Sequence, residues 1–170
     1  HGNLSLHCRD YLKNEVASAV GRLTINQLNT GSPCLFINGR VVMTTELSER
    51  LISEDTSQNF LFTYQNQVVA IFLRADHLIT MKDLLNKIPS NAALIQSFRS
   101  VCKTKELESC TLINYPWDLI SVHGKALESD YAHITRKGLI KGSIGFLSVL
   151  YNDANMFIDS DVECEDFVVL

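Results

Sequence analysis

The sequence predicts an α/β chain in three parts: a partial sheet-and-helix domain over residues 1–115, a long helix over 116–137, and short β rungs over 138–170. Three observations predict it. Cys34-Leu35-Phe36-Ile37 is continuously apolar between turn residues, which is how a strand buried on both faces of a parallel sheet reads. Trp117, Ile120, Gly124, Leu127, Tyr131 and Ile134 recur at alternating spacings of 3 and 4, one stripe along a helix. Beyond that helix, Gly138, Gly142 and Gly145 divide the chain into short β-prone pieces.

Taken in order, Cys8 to Val20 reads as a helix carrying Tyr11, Leu12 and Val16 on one face, with Leu6 before it and Gly21 closing it. Asn26 to Pro33 is a turn-rich connection. The Cys34–Ile37 strand ends in Asn38-Gly39-Arg40, and Thr45 then caps a short helix with Leu47, Leu51 and Ile52 apolar. Phe60 to Tyr64 and Gln67 to Leu73 are strand-like runs separated by Gln65-Asn66, the spacing of a tight hairpin. Thr80-Met81-Lys82-Asp83 reads as the opening of the next helix, stopped by Pro89. Ser90 caps another, carrying Leu94, Ile95 and Phe98.

Pro116 begins the long helix at a position where its missing N–H costs nothing. Asp118 sits in its first turn, Arg136 and Lys137 in its last, and Gly138 stops it. From Asn155 onward, apolar rungs alternate with acidic turns up to the run Phe167 to Leu170. That apolar end, and a beginning without Met, read as a piece cut from a longer protein.

Composition narrows the function. Hydrophobic residues make up 46% and charged residues 20%, enough apolar surface for a core. A net charge of −4 leaves no broad basic face for a nucleic-acid backbone. No apolar run is long enough to span a bilayer, and no signal peptide is visible. The expectation is a soluble, cytoplasmic protein bound neither to nucleic acid nor to membrane. The five cysteines, Cys8, Cys34, Cys102, Cys110 and Cys164, contain no CxxC pair and read as reduced thiols rather than a disulfide framework or zinc site. No metal ligand set is expected, and catalytic residues stay unassigned.

Candidate chemistry is sparse. Glycine-rich phosphate loops, HExxH and GxSxG are absent from the sequence. His7-Cys8 could pair or bind metal, although neighbours on a helix point different ways. His123 and His133 read as solvated surface. Asn38-Gly39-Arg40 is the best candidate for binding substrate, because it lies past the carboxyl end of a strand, where open α/β sheets place ligands. Arginine there could fork onto phosphate. An exposed turn is the alternative. Tyr115-Pro116-Trp117-Asp118 reads as a helix start with an anchoring Trp.

Two stretches together resemble a known family. Pro33 to Ile52, a strand ending in Asn38-Gly39-Arg40 and followed by a short capped helix, resembles the central segment of sugar-1-phosphate nucleotidyltransferases, where the strand ends in a Gly-Asp pair. Tyr115-Pro116-Trp117-Asp118-Leu119-Ile120 resembles the linker helix that, in two-domain members, leads into a left-handed β-helix of hexapeptide repeats. Phe157 to Val162 and Cys164 to Leu170 resemble the first coil of that β-helix. The group most similar is that of sugar nucleotidyltransferases related to bifunctional N-acetylglucosamine-1-phosphate uridylyltransferase.

The resemblance implies a partial Rossmann-like nucleotidyltransferase domain, a long linker helix and the first coil of a left-handed β-helix. It implies a parent protein that joins a nucleoside triphosphate to a sugar 1-phosphate and releases pyrophosphate. Asn38, Gly39 and Arg40 would line the site, with Arg40 on phosphate, and the parent would use Mg²⁺ and form a homotrimer through the β-helix. Two departures follow. The family's first strand and triphosphate-holding loop are missing, so this piece is expected to be inactive by itself. Arg40 stands where the family has a metal-binding aspartate, and arginine cannot coordinate Mg²⁺. A non-catalytic sugar-nucleotide-binding or regulatory domain, and acyl transfer through the β-helix, are the alternatives.

Overall fold

A computed structural model describes residues 4–86 and 90–170. The chain divides into two compact units, His1–Pro116 and Trp117–Leu170. Pro89, expected to stop a helix, lies outside the described residues.

The first unit opens with β1 (Ser5–Leu6), a short 3₁₀ turn at Asp10–Leu12, α1 (Lys13–Val20) and β2 (Thr24–Ile25), which pairs parallel to β1. The expected helix thus begins later than Cys8. Its apolar face is only partly covered: Val16 and Val20 are half-buried, and Tyr11 in the preceding 3₁₀ turn is exposed. Gly21 ends it at φ 54°, a conformation glycine adopts without a Cβ penalty.

Next come β3 (Cys34–Ile37), β4 (Val41–Val42) and α2 (Thr45–Ile52), then β5 (Phe60–Tyr64), β6 (Gln67–Leu73) and α3 (Ala75–Asn86). The unit closes with α4 (Asn91–Phe98), β7 (Lys103–Glu106) and β8 (Thr111–Leu112). Four of the strands form one sheet in the order β3-β6-β5-β7. β6 runs antiparallel to both neighbours, while β5 and β7 are parallel. β3, β5 and β7 therefore share a direction and end together at one edge of the sheet.

The expectation for Cys34–Ile37 is corrected here. It forms a strand, but an antiparallel one at the edge of the sheet, and none of its residues is fully buried. An edge strand has only one neighbour, so its side chains are covered from one side. The strand buried on both faces is β6, and its run from Val68 to Leu73 is the longer apolar one. On one face Leu61, Val68, Ile71 and Leu73 pack with Leu78 of α3 and with Ile95 and Phe98 of α4. On the other, Phe60, Phe62, Val69 and Ala70 pack with Leu47 and Leu51 of α2. The result is a sheet with helices on both sides.

The β5–β6 hairpin forms as its spacing predicts. Gln65 and Asn66 both take positive φ, 47° and 61°, the pattern of a two-residue turn that matches strand twist. A register shift between Phe62 and Thr63 brings Val69 and Ala70 onto the same cluster. Helix starts are displaced from the sequence reading. Thr44, not Thr45, caps α2, its hydroxyl accepting from the Leu47 N–H at 3.2 Å. Ile52 points to solvent instead of the core. α3 begins at Ala75 rather than near Thr80, so Thr80 lies within it. Ser90 caps α4 as expected, accepting from the Ala93 N–H.

In the second unit, α5 (Asp118–Ala132) has 15 residues, shorter than the helix read from the sequence. It ends before Arg136 and Lys137, which are not in its last turn. The apolar stripe is exposed, with Ile120 at 81% and Leu127 at 55%. Gly138 follows at φ 78°. Four two-residue strands come next: β9 (Leu139–Ile140), β10 (Ser143–Ile144), β11 (Phe157–Ile158) and β12 (Glu163–Cys164). β9 pairs with β11 and β10 with β12, both parallel, and Val149 bridges Val169 in the same sense. One turn of rungs thus lies on the next, each about 20 residues on, the spacing of a stacked repeat.

Two glycines make this stacking possible. A Cβ on Gly142 would collide with the Val162 carbonyl and stand 2.9 Å from that of Asp159, while one on Gly145 would come within 2.6 Å of the Asp166 nitrogen. Gly142→Ala should cost about 1–3 kcal/mol, because the obstacles are backbone atoms that cannot swing aside. Amide exchange would show lost protection over the paired rungs; unchanged protection would mean that the turns are not this closely stacked.

Candidate functional site

The three-residue turn after β3 is built from backbone upward. The Asn38 N–H donates to the Val69 carbonyl at 2.9 Å. Its side-chain amide donates to the Val68 carbonyl at 2.8 Å, and its Oδ1 accepts from the Arg40 N–H at 3.1 Å. Asn38 therefore fixes the turn. Gly39 is exposed, with open space where a Cβ would stand and no positive φ, so no backbone demand requires glycine there. The structure places Asn38, Gly39 and Arg40 together at the carboxyl edge of the sheet.

Arg40 is the chemically distinctive member. Its guanidinium donates from Nη2 to Gln67 Oε1 at 2.6 Å and from Nη1 to Asn114 Oδ1 at 3.0 Å. Its backbone carbonyl accepts from the Ile113 N–H at 2.8 Å, continuing the antiparallel β4–β8 pairing. Both side-chain acceptors are neutral amides. Among the described residues no carboxylate forms an ion pair with Arg40. The half-buried side chain is thus held by neutral partners, and among the described residues its three other N–H donors have no hydrogen-bond partner.

A cavity of about 810 Å³ lies at the same edge of the sheet. Tyr64 of β5, Val42 and Thr111 of the β4–β8 ribbon, and Glu46, Glu106 and Glu108 line it. Arg50 also lines it but is engaged by Glu54. Lys105 donates to both oxygens of Glu54 at 2.6 Å, which with Arg50 holds that carboxyl below its usual range. Glu106 takes hydrogen bonds from the Thr63 hydroxyl and, at 2.8 Å, from the Gln65 N–H, so it braces the hairpin turn. At the opposite edge, an open depression of about 260 Å³ is lined by Arg74, His77 and Lys103. Asp76 beside it pairs with Arg74 at 3.6 Å and meets the His77 ring at 3.2 Å, which offsets the Arg74 charge.

Mg²⁺ does not fit the Arg40 turn. A hard divalent cation needs several oxygen ligands, and here a guanidinium occupies the place where the resemblance puts a carboxylate. Among the described residues no group of three or more His, Cys, Asp or Glu side chains is placed to hold a metal. The five cysteines are free thiols, and burial pushes Cys102 up to about 11. His123 and His133 are exposed. Trp117, expected to anchor a helix start, is largely exposed as the residue preceding α5.

Sequence reasoning missed Gln67, Asn114 and the three glutamates. Gln67 read only as the start of a strand, and Asn114 lies 74 residues from Arg40. No local spacing announces such a pairing.

Comparison with known proteins yields one finding. A family model described as sugar nucleotidyl transferase matches residues 1–138, which takes in the first unit and α5 and stops where the rungs begin. No curated protein and no solved structure matches the chain.

His7, the other sequence candidate, is structural. Its ring meets Phe36 of β3 edge-on with centroids 6.4 Å apart, and its Nε2 is buried with no hydrogen-bond partner among the described residues. Burial lowers its pKa, outweighing a backbone hydrogen bond with Gln27. The neutral ring is therefore the folded form, and protonation favours unfolding. Stability should fall as pH drops through the ordinary histidine range near ~6.5, and His7→Phe should flatten that slope. Urea melts of both proteins between pH 5 and pH 8 check it; parallel curves would sink the assignment.

Proposed function

The chain belongs to the sugar nucleotidyl transferase family, and from that membership we propose that its first unit binds a sugar 1-phosphate and a nucleoside triphosphate at the carboxyl edge of the sheet. In the reaction this reading implies, a phosphate oxygen of the sugar 1-phosphate attacks the α-phosphorus of the triphosphate. The bond to the bridging oxygen breaks, and pyrophosphate leaves with the electron pair. Such transfers depend on alignment and on neutralising phosphate charge, with little acid–base work.

The observation that carries the reading is Arg40. An arginine held by two neutral amides at the ends of β3 and β5 keeps both its charge and spare N–H donors for an anion. Planar guanidinium groups match phosphate oxygens in pairs. Asn38 sets the turn that aims Arg40, and Gly39 leaves its flank open.

The same arginine favours a second reading: a domain that binds sugar nucleotides without turning them over. The parallel rungs after Gly138 support reading the second unit as the start of a β-helix, through which a homotrimer would assemble. No helix among the described residues is long and apolar enough to cross a membrane. Five free thiols accord with a reducing compartment, and we place the protein in the cytoplasm on that ground.

Thermal melts with a panel of nucleotide sugars and sugar 1-phosphates test the binding claim. A ligand that binds only the folded state raises stability by about 2.7 kcal/mol at 100 times its Kd, and Arg40→Ala should remove most of that gain. If no member of the panel moves the transition, family membership reports ancestry alone. Pyrophosphate release by the full-length parent then separates the two readings: turnover supports the enzyme, and binding without release supports the non-catalytic domain.

A further inference from the structure

The antiparallel direction of β6 gives the sheet a second edge at which a strand runs into a helix. β5 and β7 begin there, and β6 ends there and passes through Arg74 into α3. From Gln67, which holds Arg40, to Leu73 the strand takes six steps of about 3.3 Å, roughly 20 Å in all. A small ligand at one edge therefore does not touch the other. The open depression of about 260 Å³ lies at this second edge, lined by Arg74, His77 and Lys103 with Ser57, Gln58 and Asn59 beside them.

One buried residue sets the depression. Asn59 is 6% exposed. Its Oδ1 accepts from the Arg74 N–H at 2.8 Å, its Nδ2 donates to the Val101 carbonyl at 3.1 Å, and its backbone carbonyl accepts from the Lys103 N–H at 2.9 Å. Two cationic residues distant in sequence are thus fixed to the same asparagine. Arg74 Nη1 then donates to the Ser57 carbonyl at 3.0 Å, which ties the guanidinium to the wall. A site held in this way loses little freedom when a ligand arrives.

The charges in the wall have one sign. Among the described residues no carboxylate lines the depression, and Lys103 is exposed and forms no ion pair. Asp76 offsets Arg74 from outside the lining, but at 3.6 Å it is too far from Nη2 for a hydrogen bond, so those donors remain for a ligand. The His77 ring turns Nδ1 to Asp76 and leaves Nε2. Asp55, the other carboxylate close by, accepts from the Ser57 N–H and hydroxyl. Val101 is the one apolar residue in the wall, so no face is present on which a base or a sugar ring could stack. What the wall offers is charge and hydrogen bonding at short range, which suits a compact anion. We propose that this depression is a second anion site, taking a tetrahedral inorganic oxyanion of the size of sulfate or phosphate on Lys103 and the Arg74 guanidinium. It stands apart from the carboxyl edge of the sheet and does not depend on the nucleotidyltransferase reading.

An NMR titration of the isotope-labelled whole chain tests this, with sodium sulfate and sodium phosphate added at an ionic strength held constant by sodium chloride. The expected result is saturable movement of the Gln58, Arg74 and Lys103 amide signals with a Kd on the order of 1 mM, as befits a compact ligand on an open surface. Lys103→Ala changes an exposed side chain and keeps the backbone hydrogen bond to Asn59. It should preserve the spectrum of the folded chain and weaken the binding by about fivefold, the loss of one charged contact near water. Arg40→Ala should leave that Kd unchanged. Signals that do not saturate, or that chloride alone moves equally, overturn the site, and so does an unaltered Kd in Lys103→Ala. Loss of the binding in Arg40→Ala overturns it too, because the anion then sits at the carboxyl edge, and the nucleotidyltransferase reading stands.

Discussion

Burial of β6 on both faces is the constraint on which the first unit depends. Its side chains supply both hydrophobic clusters, one against α3 and α4 and the other against α2. Each buried aliphatic side chain contributes about 1.5–3 kcal/mol relative to exposure. The strand also fixes its neighbours, since β3 and β5 take their register from it. The site inherits its position from this strand. The Val68 and Val69 carbonyls hold Asn38, and Gln67 holds Arg40.

Arg40 poses an electrostatic problem that the fold resolves in an unusual way. A half-buried charge is ordinarily neutralised by an opposite one. The structure instead gives the guanidinium two amide oxygens. Neutral acceptors satisfy N–H groups without cancelling charge, so the guanidinium keeps its own charge. A carboxylate in place of Gln67 would gain an ion pair and cancel it. Glutamine and asparagine thus hold the side chain without neutralising it.

Legibility in the sequence followed the range of the interactions. The hairpin was legible because two residues between strands leave few turn geometries, and Ser90 was legible because a cap acts on residues close by. The role of Cys34–Ile37 was not, since four apolar residues look alike at an edge and in a centre. Only pairing with β6 decides, and pairing is not local. The α2 and α3 starts slipped because Thr44 and Thr45 are chemically equivalent caps, and because Ala75 carries no start signal of its own. Asn38, Gly39 and Arg40 were singled out by their place after a strand, yet the residues that hold the Arg40 side chain lie 27 and 74 positions away.

The second unit shows the same limit from the other side. Its apolar rungs were visible in the sequence, and so were its glycines. Their purpose was not, because turn glycines and stacking glycines have the same composition. Gly138 takes a positive φ and serves the turn, whereas Gly142 and Gly145 are required by the backbone lying against them. Only the second kind commits the chain to parallel stacking, since it leaves room for another pass of the backbone where a side chain would stand. Two-residue strands cannot hold such a stack by hydrogen bonds alone. The close approach at Gly142 and Gly145 lets successive turns meet, and the aligned apolar positions, Ile140 on Ile158 and Val149 on Val169, give them a surface to share.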